Sequence, residues 1–459
     1  MDDPVRRQAR ERPHRLALRA GGRELACAEL DAAADRAARA LAAAGVGPGD
    51  RVATTLPSGL GFAVLLHAAP RAGAVLVPLP PRAPAPERER LLELSSPRLV
   101  VETPLEEKTV EPAPSVELHD LDPDVPHTLL FTSGTTGAPK PVELTLANHL
   151  ASARASVANL GVDPDDRWLC VLPVHHVGGL AILIRSAVYG TAAIVHQRFE
   201  TEAVKAALES GEATLVSLVA TQLRRLAEAG LARAPALRAA LVGGGPVPPD
   251  LLAWAAERGL PVLQTYGMTE TASQVATLPA AEALAHARNG SAGRPLPGVE
   301  LRIDGATGEI LVRGPSVAPG ALATDGWLHT GDRGHLDADG YLWVEGRLDE
   351  TIVTGGENVA AAEVEEALES HPAVAEAAVA GRPDPEWGQA VTAYVVLDGR
   401  AEPSDAELIA HCRERLAPHK APKAIHRVDR LPRTDSGKVA RVRLDGLETS
   451  PRVPRPPDG

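Results

Sequence analysis

Residues 132–140, "TSGTTGAPK", follow the apolar run "HTLLF" and bring two glycines, four hydroxyl side chains and one lysine into nine positions. Backbone N–H groups at glycine approach a ligand closely, hydroxyls add donors and Lys140 adds positive charge, so a phosphate-like anion is a natural guest. The stretch is not the common nucleotide loop, which needs Gly-Lys-Ser/Thr; here Pro139 precedes Lys140 and Pro141 follows it. On composition alone a phosphate cradle and a solvated turn both stay open. Four later stretches carry similar chemistry: "GGGP" (243–246), "YGMTETASQ" (266–274), "HTGDRGHLDADGYLWVEGRLDETIVTGGENV" (329–359) and "RTDSGKVAR" (433–441). Taken singly, each has an ordinary reading. A glycine run is a turn, Thr269-Glu270 is a helix start, and Lys438 is a solvated lysine.

The elements that must position these stretches change character along the chain. "AELDAAADRAARALAAAGV" has helical apolar spacing and ends at Gly45, whereas "RVATTLP", "AVLVPLP", "RLVVE", "HTLLFT" and "WLCVLP" read as buried strands. Strands separated by helices imply an α/β fold of mainly parallel sheets with helices on both faces, and in such sheets ligands gather at the carboxyl ends of strands. From about residue 299, "VELRI", "GEILVRG" and "GYLWVEGR" read as antiparallel hairpins of a β-rich subdomain, with turns at "DGATG" and "DADG". The helix "AAAEVEEALESHP", the strands "EAAVAG" and "AVTAYVVL", the helix "DAELIAHCRERL" and "AIHRVDRLP" then form a small α+β module. The expected organisation is an N-terminal domain over 1–346, a hinge at 347–350, a mobile C-terminal domain over 351–448 and a disordered Pro-rich tail over 449–459.

Composition narrows the function. A hydrophobic share of 44% supports a substantial core, and a net charge of −13 argues against general affinity for nucleic acid or anionic membrane. Cys27, Cys170 and Cys412 are odd in number and lack metal-ligand spacing, which suits a reducing cytoplasm. The start "MDDPVRRQARERPHR" is charged where a signal peptide is apolar, and no apolar run is long enough to span a bilayer. Oligomeric state stays open, a homo-oligomer included.

Together and in this order, the five stretches resemble the adenylate-forming superfamily, which includes acyl-CoA synthetases, firefly-type luciferases and peptide-synthetase adenylation domains. The resemblance covers nearly the whole chain and implies a two-step reaction. A carboxylate attacks the α-phosphate of ATP, giving an acyl adenylate and pyrophosphate, and the thiol of CoA then displaces AMP. The need is physical: a carboxylate resists thiolysis because its leaving group would be oxide, whereas an acyl phosphate anhydride releases a stable anion. By this resemblance Thr132, Ser133, Gly134, Thr135, Thr136, Gly137 and Lys140 cradle the β- and γ-phosphates, with Pro141 standing where glycine is usual. Tyr266 lies against adenine, and Gly243, Gly244 and Gly245 leave room for the base edge. Thr269 donates to the α-phosphate and Glu270 holds Mg²⁺, an ion that takes one or two carboxylates beside phosphate oxygens and water. Asp332 accepts from both ribose hydroxyls, and Arg347 reaches the ribose or a phosphate. Lys438 bridges the attacking carboxylate and the α-phosphate. Gly355 and Gly356, beside Glu357, border a narrow thiol path, and a hinge at Asp349 exchanges the two surfaces of the small domain.

"LPVHHVGGLAILIRSAVYG" (172–190), "SLVATQLRRL" (217–226) and "LVGGGPVP" are similar to the o-succinylbenzoate–CoA ligases of menaquinone biosynthesis. Their substrate bears two carboxylates, one activated and one retained. Arg185, within an otherwise apolar helix, is the candidate to grip the retained one through two parallel hydrogen bonds, the alternative being a helix arginine that snorkels to water. His176 is a candidate for the acyl pocket or a plain core histidine; Ser217 and Thr221 are candidates for polar contacts to the acid. Ala220 stands where a proline is expected, and "PVHHVGG" lacks the aspartate that holds the amine of an α-amino acid. The rival readings are a ligase for another aryl or fatty acid, a non-catalytic nucleotide sensor, and a phosphate-loop NTPase, the last releasing ADP and not AMP.

Overall fold

Apolar residues spaced three and four apart give Cys27–Ala43 one buried face, formed by Leu30, Ala33, Ala34, Ala37, Ala38 and Leu41. The Glu29 carboxylate accepts the Ala26 N–H at 2.8 Å and satisfies one of the donors left over at the helix start. In the computed structural model the described residues are 2–105, 118–133, 139–284, 290–348, 351–354, 357–384, 387–416, 418–434 and 439–447. Asp349, Gly355, Gly356, Lys438, Gly134, Thr135, Thr136, Gly137 and residues 449–459 lie outside them.

Among the described residues the strands form four sheets. The largest runs in the order Arg294–Pro295, Ser273–Thr277, Val262–Met268, Ala239–Val242, Leu215–Leu218, Arg167–Cys170, Ala192–Val195, Leu16–Ala20 and Arg23–Ala26. It is parallel from Val262–Met268 to Leu16–Ala20 and antiparallel at both ends. Its inner strands Ala192–Val195, Leu215–Leu218 and Ala239–Val242 are buried at every position, as strands covered on both faces must be. A second sheet orders Leu99–Val101, Arg51–Thr54, Val75–Pro78, Pro126–Ser133 and Pro139–Thr145; only the last pair is antiparallel. The third contains Glu300–Ile303, Glu309–Arg313, Leu328–Leu336 and Leu342–Arg347 in chain order. The fourth packs Thr351–Thr354, Glu357–Ala360, Val374–Asp384, Gly388–Leu397 and Ala424–Arg427 with the helices Ala361–Glu369 and Asp405–Arg413, around Ile352, Val364, Leu368, Val379, Val391 and Leu408.

The chain divides into two compact units: Met1–Arg302 with Leu311–His329 and Asp337–Leu342, and Ile303–Ile310 with Thr330–Leu336 and Trp343–Gly459. The second unit therefore begins upstream of the boundary expected at Arg347–Glu350. Its short upstream pieces bond to one another, through Gly334 N–H to Gly308 O at 3.0 Å and Gly331 N–H to the Glu309 carboxylate at 2.8 Å.

Arg71 anchors the amino-terminal segment. Its side chain is 0% exposed and donates to Asp3 at 2.8 Å, to Asp31 at 2.7 Å and to Asp35 at 2.7 Å. Burial works to lower the guanidinium pKa, and the three aspartates outweigh it, leaving it raised. Asp3 also accepts the N–H groups of Val5 and Arg6 and so caps the helix Pro4–Glu11. No helix among the described residues is long and apolar enough to cross a membrane.

Candidate active site

Parallel pairing sets the carboxyl ends of Arg167–Cys170, Leu215–Leu218, Ala239–Val242 and Val262–Met268 side by side. Residues that follow or close these strands therefore gather at one edge of the large sheet. His175 and His176, Ser217 and Thr221, Gly243 to Gly245, and Tyr266 with Thr269 and Glu270 all belong to this set.

Tyr266 and Gly267 flank a break in register. Tyr266 pairs with Ala276 and Gly267 with Gln274, so Val275 is the extra residue of a bulge. A Cβ on Gly267 would lie 1.6 Å from the Ser273 carbonyl oxygen, and one on Gly243 would lie 2.7 Å from that of Thr265. Both glycines are thus required by close backbone approach. The chain then turns through a short 3₁₀ segment, Thr269–Thr271, into Ala272 and Ser273, which hold positive φ values of 50° and 104°. Such backbone costs about 1–3 kcal/mol per residue and persists only where the surroundings over-determine it. The restraints are visible: the Thr271 hydroxyl contacts both Met268 O and Ser273 O, and Ala318 N–H donates to Glu270 O at 2.7 Å. Thr269 and Glu270 are half-buried on this braced turn, and among the described residues no cation pairs with the Glu270 carboxylate. In Gly267→Ala the turn must shift, so ATP–pyrophosphate exchange is expected to fall at least about tenfold. Exchange at the wild-type rate would contradict that reading of the bulge.

Arg185 is 3% exposed, which excludes the snorkelling alternative. It sits in the helix Val177–Tyr189, donates from Nη2 to the Ser152 hydroxyl at 3.0 Å and lies 5.8 Å from the centre of the Trp168 ring. Trp168 Nε1 donates in turn to Ser217 Oγ at 3.1 Å. Arg185 Nε has no hydrogen-bond partner, and among the described residues no carboxylate pairs with the guanidinium. Burial lowers its pKa, yet an arginine remains a cation at neutral pH. Arg71 and Arg185 are both buried; among the described residues one has three anions and the other has none.

His176 occupies the N-cap position of the same helix, and its ring lies 4.4 Å from that of His175. Burial pushes His175 down to about 3, so it is neutral at physiological pH. Thr221 is half-buried near the start of the helix Ala220–Glu228. In the hairpin Pro126–Ser133/Pro139–Thr145, Thr132 stands opposite Lys140. Thr132 is half-buried and Lys140 exposed. Pro139 and Pro141 lie on an edge strand, where a missing N–H is tolerated.

In the second unit Arg347 donates from Nη1 to Asp332 Oδ1 at 3.0 Å and to Thr330 O at 2.9 Å. Between them Gly331 adopts φ +69°, and a Cβ there would lie 2.9 Å from the Arg347 guanidinium. The two residues expected at the ribose are therefore already an ion pair. Sequence reasoning did not single out Ser152, Trp168 or Ala272. Trp168 was visible only as a strand residue, and no local pattern marks Ser152.

Residues 5–322 match the model of the AMP-binding enzyme family, and residues 363–438 match that of the AMP-binding enzyme C-terminal domain. A 2-succinylbenzoate–CoA ligase of Bacillus licheniformis is 40% identical over 97% of this chain and 100% of its own length. One of Geobacillus kaustophilus is 40% identical over 95% of each. Among solved structures, the o-succinylbenzoate CoA synthetase MenE of Bacillus subtilis in complex with the acyl-adenylate intermediate OSB-AMP superposes with a TM-score of 0.91 at 37% identity, covering 98% of this chain and 99% of that one. ATP-bound MatB from Rhodopseudomonas palustris superposes with a TM-score of 0.89 at 28% identity, over 96% and 98%. With both family models matched in order and relatives aligned from end to end, the chain belongs to the AMP-binding enzymes.

Proposed function

We propose that this protein is an ATP-dependent acid–CoA ligase that converts 2-succinylbenzoate to its CoA thioester through an acyl adenylate, as a step of menaquinone biosynthesis. The observation that carries the substrate is Arg185, a buried cation without a carboxylate partner among the described residues, its guanidinium beside the Trp168 ring whose Nε1 donates to Ser217. A lone buried charge costs several kcal/mol, and a substrate's second carboxylate offsets that cost through charge-assisted hydrogen bonds. The names of the relatives supply the same acid independently.

In this reading the acid enters between His176, Arg185, Ser217 and Thr221, which fix the retained carboxylate and expose the other to the nucleotide. Tyr266 and Gly243 to Gly245 receive adenine, Asp332 the ribose hydroxyls with Arg347 beside it, and residues 132–140 the β- and γ-phosphates. Thr269 donates to the α-phosphate. Glu270 offers a carboxylate free of any described cation, a fitting donor for Mg²⁺, which when bound neutralises phosphate charge. Lys438 balances the two anions as they meet, and Gly355 and Gly356 serve the thiol step. The three cysteines are buried free thiols, in keeping with a reducing cytoplasm.

A panel of acids incubated with ATP and Mg²⁺ tests the proposal by pyrophosphate release, followed by AMP and thioester formation once CoA is added. 2-Succinylbenzoate is expected to exceed matched monocarboxylates by at least about 100-fold in kcat/KM, because a monocarboxylate leaves Arg185 unpaired. Equal use of both kinds of acid would overturn the substrate assignment.

A further inference from the structure

We infer that Ser152 is a positioning residue that joins the acid-binding and nucleotide-binding halves of the site, its hydroxyl linking Arg185 to the turn that carries Thr269 and Glu270. This deepens the preceding proposal and rests on its assignment of Arg185 to a substrate carboxylate. Ser152 is 2% exposed on the helix Leu146–Leu160. A buried helical serine commonly bonds back to its own helix. Ser152 instead bridges two distant segments: it accepts from Arg185 Nη2 at 3.0 Å and donates to the Ala272 carbonyl at 2.7 Å.

The direction of this relay is fixed. A guanidinium only donates and a carbonyl only accepts, so the hydroxyl has one orientation, and each bond polarises the other. Ala272 is the acceptor that matters, because it is the first of this turn's two non-glycine residues at positive φ and its own N–H closes the Thr269–Thr271 segment at 3.1 Å to Thr269 O. A carboxylate that draws on the guanidinium therefore acts, through one hydroxyl, on the backbone presenting the α-phosphate and Mg²⁺ contacts. An acid lacking the second carboxylate leaves the relay without that pull. Substrate choice is thereby expressed in kcat as well as in KM.

ATP–pyrophosphate exchange by wild type, Ser152→Ala, Ser152→Thr, Arg185→Ala and the Ser152→Ala/Arg185→Ala double variant tests this. Ser152→Ala is expected to raise KM for 2-succinylbenzoate about tenfold and lower kcat about tenfold, with KM for ATP within about twofold, because it removes one hydrogen bond to a charged group. Ser152→Thr, which keeps the hydroxyl, restores most of both. The double variant is no worse than Arg185→Ala, since both substitutions break one relay. If Ser152→Ala does not fold, Ser152→Cys, which keeps the volume and weakens both bonds, takes its place with an intermediate loss of the same pattern. Unchanged kinetics, a change in kcat or KM alone, or additive losses in the double variant would overturn the inference and leave the substrate assignment standing. If wild type activates a different dicarboxylate, the substrate assignment falls, and the same variants assayed with that acid decide the relay; activation of monocarboxylates only would overturn both.

Discussion

Replacing Lys438 by alanine is expected to reduce pyrophosphate release from ATP and 2-succinylbenzoate by about 10²- to 10³-fold, while conversion of a supplied acyl adenylate to the thioester stays within about threefold. The two half-reactions differ in what they ask of a cation. In the first, a carboxylate approaches a phosphate group that is itself anionic, and an ammonium between them lowers that repulsion as the new bond forms. In the second, a thiol attacks an anhydride whose leaving group is already a stable anion, and the same ammonium has little left to do. Lys438 lies outside the described residues, so its role is carried by the "DSGK" motif and the chemistry of the two steps. Separate assays of the half-reactions check it. An equal loss in both would mean that Lys438 supports the fold or the nucleotide generally and does not serve the attack.

Arg185→Met is expected to separate activity from stability. Activity should collapse: kcat/KM for 2-succinylbenzoate falls about 100-fold or more, which corresponds to about 2.7 kcal/mol, while KM for ATP stays within about threefold. The ligand-free protein should nonetheless melt at the same temperature as wild type or higher. Replacing a buried charge that lacks an anion by an apolar side chain of similar length removes a desolvation cost and adds packing. In the same experiment 2-succinylbenzoate should raise the melting temperature of wild type and leave that of Arg185→Met unchanged. A variant that is both inactive and strongly destabilised would show that Arg185 holds the core together and is not waiting for a substrate.

Much of this arrangement could be read in the chain before any coordinates. The strands "HTLLFT" and "WLCVLP" and the helix that stops two residues before Gly45 follow from local apolar spacing, which needs no knowledge of neighbours. Gly267 was legible as a glycine in a nucleotide motif, but not the reason for it, because the bulge is defined by the partner strand. Arg185 stood out as one charge in an apolar helix. Whether it reached water depended on Trp168 and Ser152, which come from two other elements. Arg71 gave no signal at all, since its aspartates lie 36 to 68 residues away. The extent of the second unit was hidden for the same reason: hydrogen bonds among 303–310, 330–336 and later residues cross sequence gaps that no linker composition reveals.

The Arg71 cluster bears on how the chain comes off the ribosome. All four charged groups lie between positions 3 and 71, upstream of the segment with the bulge and the "TET" turn, so the clasp can close during synthesis before that segment exists. Domains assemble largely in the order of their translation. A substitution at any one of these four positions therefore disturbs a fixed point that is set before the site-bearing strands are made.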